Sequence, residues 1–140
     1  SNSAQRYLIA DMYFKKGDYQ KAHDLLKKDE SESAIIKRIN WFEETLEWDT
    51  AVSLVNQLVW RDSSQAALLR KATLLENRGW LNSSYNLYNL VLANDSTNSI
   101  ALEGAQNVGR KIAYLRSLRE QEEKIPVLEV SPKKGTENNE

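Results

Sequence analysis

Apolar residues recur at three- and four-residue spacing in seven successive stretches, the pattern of amphipathic helices. Tyr7, Leu8, Ala10, Tyr13 and Phe14 share one face of the first, which Gly17-Asp18 ends, with Asp18 placed to cap the next helix. Ala22, Leu25 and Leu26 make the second stripe, and Ile35, Ile36, Ile39, Phe42 and Leu46 the third, starting from Ser31 or Ser33. Ala51, Val52, Val55, Leu58 and Val59 face inward on a fourth helix opened by Trp48-Asp49. Leu68, Leu69, Ala72 and Leu75 form the fifth stripe up to Gly79, and Leu81, Tyr85, Tyr88, Val91 and Leu92 the sixth. After the polar loop 94–98, a seventh helix from about Ser99 to Glu123 carries Ala101, Ala105, Val108, Ile112, Leu115 and Leu118, with Pro126 beyond its end. Sustained β alternation is absent, except for a trace in Ile125 to Val130. Helices of this length joined by such short turns must form antiparallel pairs.

Composition narrows the chemistry. The chain has 140 residues, 41% apolar, enough for one cored domain or a short repeat array. Five Gly and two Pro speak against a turn-rich β fold. With 19 basic and 20 acidic residues the net charge is −1, which argues against nucleic-acid binding. There is no Cys, so no disulfide, thiolate metal site or Cys nucleophile, and only one His. His23 is read as a surface residue: its sequence neighbour Asp24 does not face it on a helix, and no nucleophile accompanies it. No phosphate-loop, dinucleotide or metalloprotease motif occurs, and the loop at Asp95 lacks the glycine of a calcium site. No enzyme activity, cofactor or metal is expected. No apolar run is long enough to span a membrane. Asn82-Ser83-Ser84 and Asn94-Asp95-Ser96 match the glycosylation sequon, with Ser84 expected to be packed.

The helix pairs repeat. Small residues early in each second helix, Ala22, Ala51 and Ser84, stand 29 and 33 residues apart. A small residue there lets two helices approach closely. Tyr13, Phe42 and Leu75 fill the space within each pair, and Tyr19, Trp48 and Leu81 pack back on its first helix. The short first interval predicts a tight turn after the second helix. With Ala10, Gly17-Asp18-Tyr19 and Leu26 in the first unit, Glu47-Trp48-Asp49 in the second and Gly79-Trp80-Leu81 in the third, residues 4–120 resemble the tetratricopeptide repeat (TPR) family. Leu46 stands where that family prefers Gly, and its late Pro is missing from all three units. The expected fold is therefore all-α, a right-handed α-solenoid of antiparallel helix pairs with about seven helices. Residues 1–3 read as an N-terminal extension, with Ser1-Asn2 a protease scar. Residues 4–123 read as the repeat domain, with units at 4–29, 31–62 and 64–95 and a capping helix at 99–123. Residues 124–140 read as a flexible tail.

The resemblance implies a non-catalytic adaptor or scaffold that binds a peptide or protein segment in the concave groove of its first helices. Carried over position by position, the groove residues are Tyr7, Asp11, Phe14 and Lys15; Ile36, Asn40, Glu43 and Glu44; Leu69, Thr73, Glu76 and Asn77; and, from the last helix, Glu103, Asn107 and Arg110. This groove reads as apolar at its base and acidic along its wall, suited to a segment with apolar anchors and basic residues. Chaperone-binding members of the family hold a terminal carboxylate in a Lys/Asn/Arg clamp. Here Asp11 replaces the Asn and Tyr7 the Lys, leaving Arg70 alone. Tyr7, Phe14, Ile36 and Leu69 are also read as inter-repeat core, and Glu43, Glu44 and Glu76 as a solvated helix face.

Two alternatives come from other features. Trp41, Trp48, Trp60 and Trp80 are many for this length, and the tail stretch 125–130 is apolar. Trp48 and Trp80 are explained by core packing at the turns, while Trp41 is expected to point outward beside Phe42. Exposed Trp or the tail could assemble a structural homo-oligomer, so the state is read as monomer or weak homodimer. Arg110, Lys111, Arg116 and Arg119 leave RNA binding as a minor reading, with a solvated cap face preferred.

Overall fold

A computed structural model describes residues 2–128. Seven helices follow one another: α1 (Asn2–Lys15), α2 (Tyr19–Leu26), α3 (Glu32–Glu44), α4 (Trp48–Arg61), α5 (Gln65–Arg78), α6 (Leu81–Asn94) and α7 (Ser99–Glu123). Strands are absent among the described residues. Helix α1 already runs through positions 2 and 3, which the sequence pattern placed outside the domain. Residues 129–140, with most of the expected tail and part of the apolar stretch 125–130, lie outside the described residues.

Two kinds of connection alternate. Within each pair the turn is the same motif. The N–H of Asp18 donates to Tyr13 O at 2.9 Å, that of Glu47 to Phe42 O at 2.8 Å, and that of Trp80 to Leu75 O at 2.8 Å. Each closes a Schellman turn over a left-handed residue: Gly17 at φ 90°, Leu46 at φ 60° and Gly79 at φ 92°. Leu46 is thus a C-terminal turn residue and 67% exposed, not part of the inward stripe of α3. Second helices leave these turns without a side-chain cap, and Asp18 makes no capping bond. Between pairs the chain instead re-enters helix through a capping side chain. Ser31 accepts from Ala34 N, Ser64 from Ala67 N and Asn98 from Ala101 N.

Three clusters of buried residues run along the chain. Ala10, Phe14, Ala22 and Leu26 join Trp41 of α3; Ile35, Ile39, Ala51, Leu54, Val55 and Leu58 join Ala67 and Leu74 of α5; Leu69, Ala72, Tyr88 and Val91 join Ala101, Ala105 and Val108 of α7. Each pair is sealed by the first helix of the next, as a stack of repeats requires. Trp41 therefore points into the core at 5% exposure, because the first repeat needs a large side chain from α3 to close it. The short first interval arises inside α2, which has 8 residues against 14 in α4 and α6, and not from a tight turn after it: residues 27–31 separate α2 from α3, but only 62–64 separate α4 from α5. At the far end α7 outruns its neighbours, so Leu115 and Leu118, expected inward, are half-exposed. On α1, Leu8, expected inward, is exposed.

Candidate functional site

The first helices α1, α3, α5 and α7 stand side by side and are tied together by side chains rather than backbone. Lys37 Nζ on α3 donates to both carboxylate oxygens of Asp11 on α1, at 3.0 and 3.1 Å. Arg70 Nη2 on α5 donates to Asn40 Oδ1 at 2.6 Å and to the Glu43 carboxylate, both on α3. Asn77 Nδ2 reaches the other Glu43 oxygen at 3.0 Å. Lys111 Nζ on α7 donates to Glu76 Oε2 on α5 at 2.7 Å. The other Glu76 oxygen accepts from Tyr88 OH at 3.2 Å, and that hydroxyl lies 3.3 Å from Thr73 Oγ1. Burial raises the Tyr88 pKa above its ordinary value, with Glu76 adding to the rise, so the hydroxyl stays a donor at neutral pH.

Every junction between repeats thus carries one cation reaching back to an acid of the previous first helix. The geometry has a simple origin. Lys37 and Arg70 occupy the same place in successive first helices, 33 residues apart, one helical turn from Asp11 and Asn40 of the unit before.

No family model matches the sequence and no curated protein sequence matches it. Solved structures do. The Sgt2 TPR domain from Aspergillus fumigatus is similar with a TM-score of 0.62 at 13% identity, over 97% of this chain and 93% of that one. The first TPR of Spaghetti (RPAP3), bound to the HSP90 peptide SRMEEVD, aligns with a TM-score of 0.59 at 21% identity, over 79% and 92%. The second TPR domain of human RPAP3, in complex with the HSP70 peptide SGPTIEEVD, aligns at 0.56 and 17%, over 76% and 97%. This chain has the tetratricopeptide-repeat fold.

Within a TPR fold the row of first helices is the concave face; of the fifteen residues expected to line it, Lys15, Asn77, Glu103 and Arg110 are exposed and Asn107 is half-buried, and the other ten are core, engaged or exposed. Phe14 and Leu69 are core: Phe14 stacks on Trp41 with ring centroids 5.0 Å apart, and Leu69 is buried among α6 and α7 residues. Ile36 is half-buried against the second core cluster. Tyr7, Asp11, Glu43, Thr73 and Glu76 reach the face but are engaged. Tyr7 OH donates to Asp29 Oδ2 at 3.1 Å and lies 3.0 Å from Ser31 Oγ, so it braces the turn between repeats. Bonds from Ser31, then from Tyr7 and the Arg6 charge, hold the Asp29 carboxyl below the usual range. Of these ten, Asn40 and Glu44 stand exposed, and Asn40 already accepts from Arg70.

The wall is consequently charge-balanced rather than acidic, because Lys37, Arg70 and Lys111 neutralise Asp11, Glu43 and Glu76. Lys37 escaped the sequence reading, although its recurrence as Arg70 was the available signal. Lys111, assigned to the outer face of the cap, turns into the row instead. His23, expected at the surface, is buried at 8% exposure, packed against Trp41 and Phe42. Among the described residues no group of three or more His, Cys, Asp or Glu could hold a metal, and no helix is long and apolar enough to cross a membrane.

Proposed function

We propose that this chain is a non-catalytic interaction module that binds an extended or helical segment of another protein along the row α1–α3–α5–α7. The observation that carries this reading is the chain of cross-repeat bonds at Lys37, Arg70 and Lys111. It fixes four helices into one preformed surface, so little ordering opposes binding. The exposed groups on that surface are Asn40 and Asn77, each using one amide atom within the row, Glu44 and Glu103, and Lys15 and Arg110 at its ends, Arg110 bonded to Asn107. They suit a segment with apolar anchors that presents backbone or amide groups centrally, with a basic residue opposite Glu44. The fold-level neighbours bound to HSP90 and HSP70 peptides support peptide binding as the use of this face.

The carboxylate-terminated peptides themselves fit poorly. Arg70 is committed to Glu43 and Asn40, and Lys37 to Asp11, so neither cation is available to a terminal carboxylate. The test is a peptide-array screen with the intact chain and with Asn40→Lys plus Glu44→Lys, two exposed positions whose change leaves the core intact. Sequences retained by the first protein and lost by the second establish the groove. SRMEEVD and SGPTIEEVD, measured by calorimetry, are expected to show no saturable binding. An array in which both proteins retain the same peptides refutes the site.

A second reading, a structural homo-oligomer, is favoured by Trp60, which is 90% exposed on α4. Sedimentation of the chain beside Trp60→Ser and beside residues 1–124 separates it from the adaptor reading.

A further inference from the structure

The single histidine of the chain sits where the first repeat meets the second. His23 on α2 stacks on Phe42 of α3, with ring centroids 4.0 Å apart and planes 17° apart, and meets the edge of Trp41 at 5.3 Å. Its Nδ1 accepts from Arg38 Nε at 3.3 Å, which places the ring proton on Nε2. That Nε2 is buried and has no partner. The neutral ring is therefore held by one accepted bond and by aromatic packing. A proton on Nδ1 would turn this acceptor into a donor facing a donor and set two cations side by side in a part-buried contact.

The junction has little backbone contact to hold it. Helix α2 is short, and its backbone meets α3 less closely than α4 meets α5 or α6 meets α7. The other ties are the burial of Trp41 among Ala10, Phe14, Ala22 and Leu26, the Asp11–Lys37 pair, and the bonds of Arg6 and Tyr7 to Asp29 and of Tyr7 to Ser31. The charged groups around the imidazole are Arg38 on α3, Glu47 at the start of α4 and Asp24 on α2 itself. Both carboxylates favour the protonated ring, but they are otherwise engaged, Glu47 by Thr45 and Asp24 by Lys27 and Gln20. Burial first, and then Arg38, outweigh them and push the His23 pKa below its ordinary value of 6.5.

We propose that His23 is a proton-operated latch between the first two repeats: neutral, it holds α2 against Phe42 and Arg38; protonated, it releases α1–α2 from α3. Because Asp11 and Lys37 lie on opposite sides of this junction, release divides the row of first helices, and a bound segment spanning it is let go in acid. That consequence for binding rests on the interaction reading above, whereas the latch itself is tested without any ligand.

The sign follows from linkage. A histidine whose pKa is lower in the folded than in the unfolded chain contributes stability above the unfolded value, and that contribution is lost as the pH falls below it. The experiment is a nuclear magnetic resonance titration of the full chain from pH 7.5 to 5.0, with melting of the chain and of His23→Gln at pH 7.5 and 5.5. His23 is expected to titrate below 6.5. As it does, amides of α1, α2 and the start of α3 shift or broaden while those of α5–α7 hold. The unmodified chain should lose about 4 °C more than His23→Gln between the two pH values. Titration at or above 6.5, unmoved α1–α2 amides, or equal losses in the two proteins would each overturn the latch. If His23→Gln does not fold, the titration decides alone, since a loss spread evenly over all seven helices would also refute it.

Discussion

Two glycines of α7 should respond oppositely to the same change. A Cβ added at Gly104 would lie 2.4 Å from two atoms of the Tyr88 ring and 2.7 Å from a third. That ring cannot step aside: Tyr88 is 3% exposed and its hydroxyl is engaged with Thr73 and Glu76. An alanine at position 104 must therefore push α7 off α6 by about 1 Å, at the typical overpacking cost of about 1–3 kcal/mol. Against this stands the better helix propensity of Ala, worth about 1 kcal/mol. With three ring atoms obstructed at once, the steric side prevails, and Gly104→Ala is expected to destabilise the chain by about 1–2 kcal/mol, or roughly 3–8 °C in Tm. At Gly109 the added Cβ meets only the Tyr85 ring at 3.4 Å, an ordinary contact with a half-exposed side chain. There the propensity gain is unopposed, and Gly109→Ala should stabilise by about 0.5–1 kcal/mol. Urea unfolding of both variants measures the difference. The Gly104→Ala cost should shrink in a Tyr88→Leu background, as expected for two groups in contact. A Gly104→Ala variant as stable as Gly109→Ala would refute the argument that Tyr88 requires a glycine opposite it.

Other substitutions test the remaining elements. Leu46→Gly should raise stability by about 0.5–1 kcal/mol in urea melts, because the left-handed backbone at φ 60° suits Gly and the exposed Leu side chain loses little. Arg70→Met should lower stability by about 1–3 kcal/mol by stranding the mostly buried Glu43 carboxylate, and adding Glu43→Gln should recover part of the loss in thermal melts. Ser84→Leu should unfold the third repeat or cost several kcal/mol, since Ser84 is fully buried where α5 and α6 cross. Ser84→Ala, which forfeits only a bond to the Ala72 carbonyl, should stay within about 1 kcal/mol of the parent.

Helix number, pairing and the small residues at Ala22, Ala51 and Ser84 were legible because each follows from apolar spacing and from turns too short for anything but antiparallel neighbours. The exceptions come from contacts between repeats. Trp41 lies beside Phe42 in sequence, and adjacent helix positions point about 100° apart, which suggested solvent for one of them. A first helix in a stack has two partners, its own second helix and the preceding repeat, so both residues find cover. The same reasoning was available for His23, whose burial follows from a neighbour that local periodicity does not show. Leu46 looked inward because it continues the α3 stripe, yet the stripe ends with the helix at Glu44 and the turn carries Leu46 outward. In the candidate groove, position in the repeat did not separate Phe14 and Leu69, which are core, from the residues that reach the row, nor show which of those were already bonded to one another.

That distinction alters what the row can do. An acidic wall attracts basic segments at long range, whereas a wall of closed ion pairs discriminates at short range, through hydrogen bonds and shape. Each cross-repeat pair also sets the spacing of two first helices, so the surface is stiff where the pairs are buried and softer where they are not. Arg70 and Glu43 are mostly buried, while Lys37 and Asp11 are about one-third exposed, and the latter pair spans the junction with the short α2 and the lone histidine. The stiff part of the row is therefore α3–α5, while α7, whose Lys111 is itself exposed, is held by its close packing on α6, where Gly104 lets it seat against Tyr88. A segment bound there meets a fixed template. A segment that also reaches α1 must rely on the junction with the least backbone contact, and its affinity should carry the pH dependence of His23 that a segment confined to α3–α7 lacks.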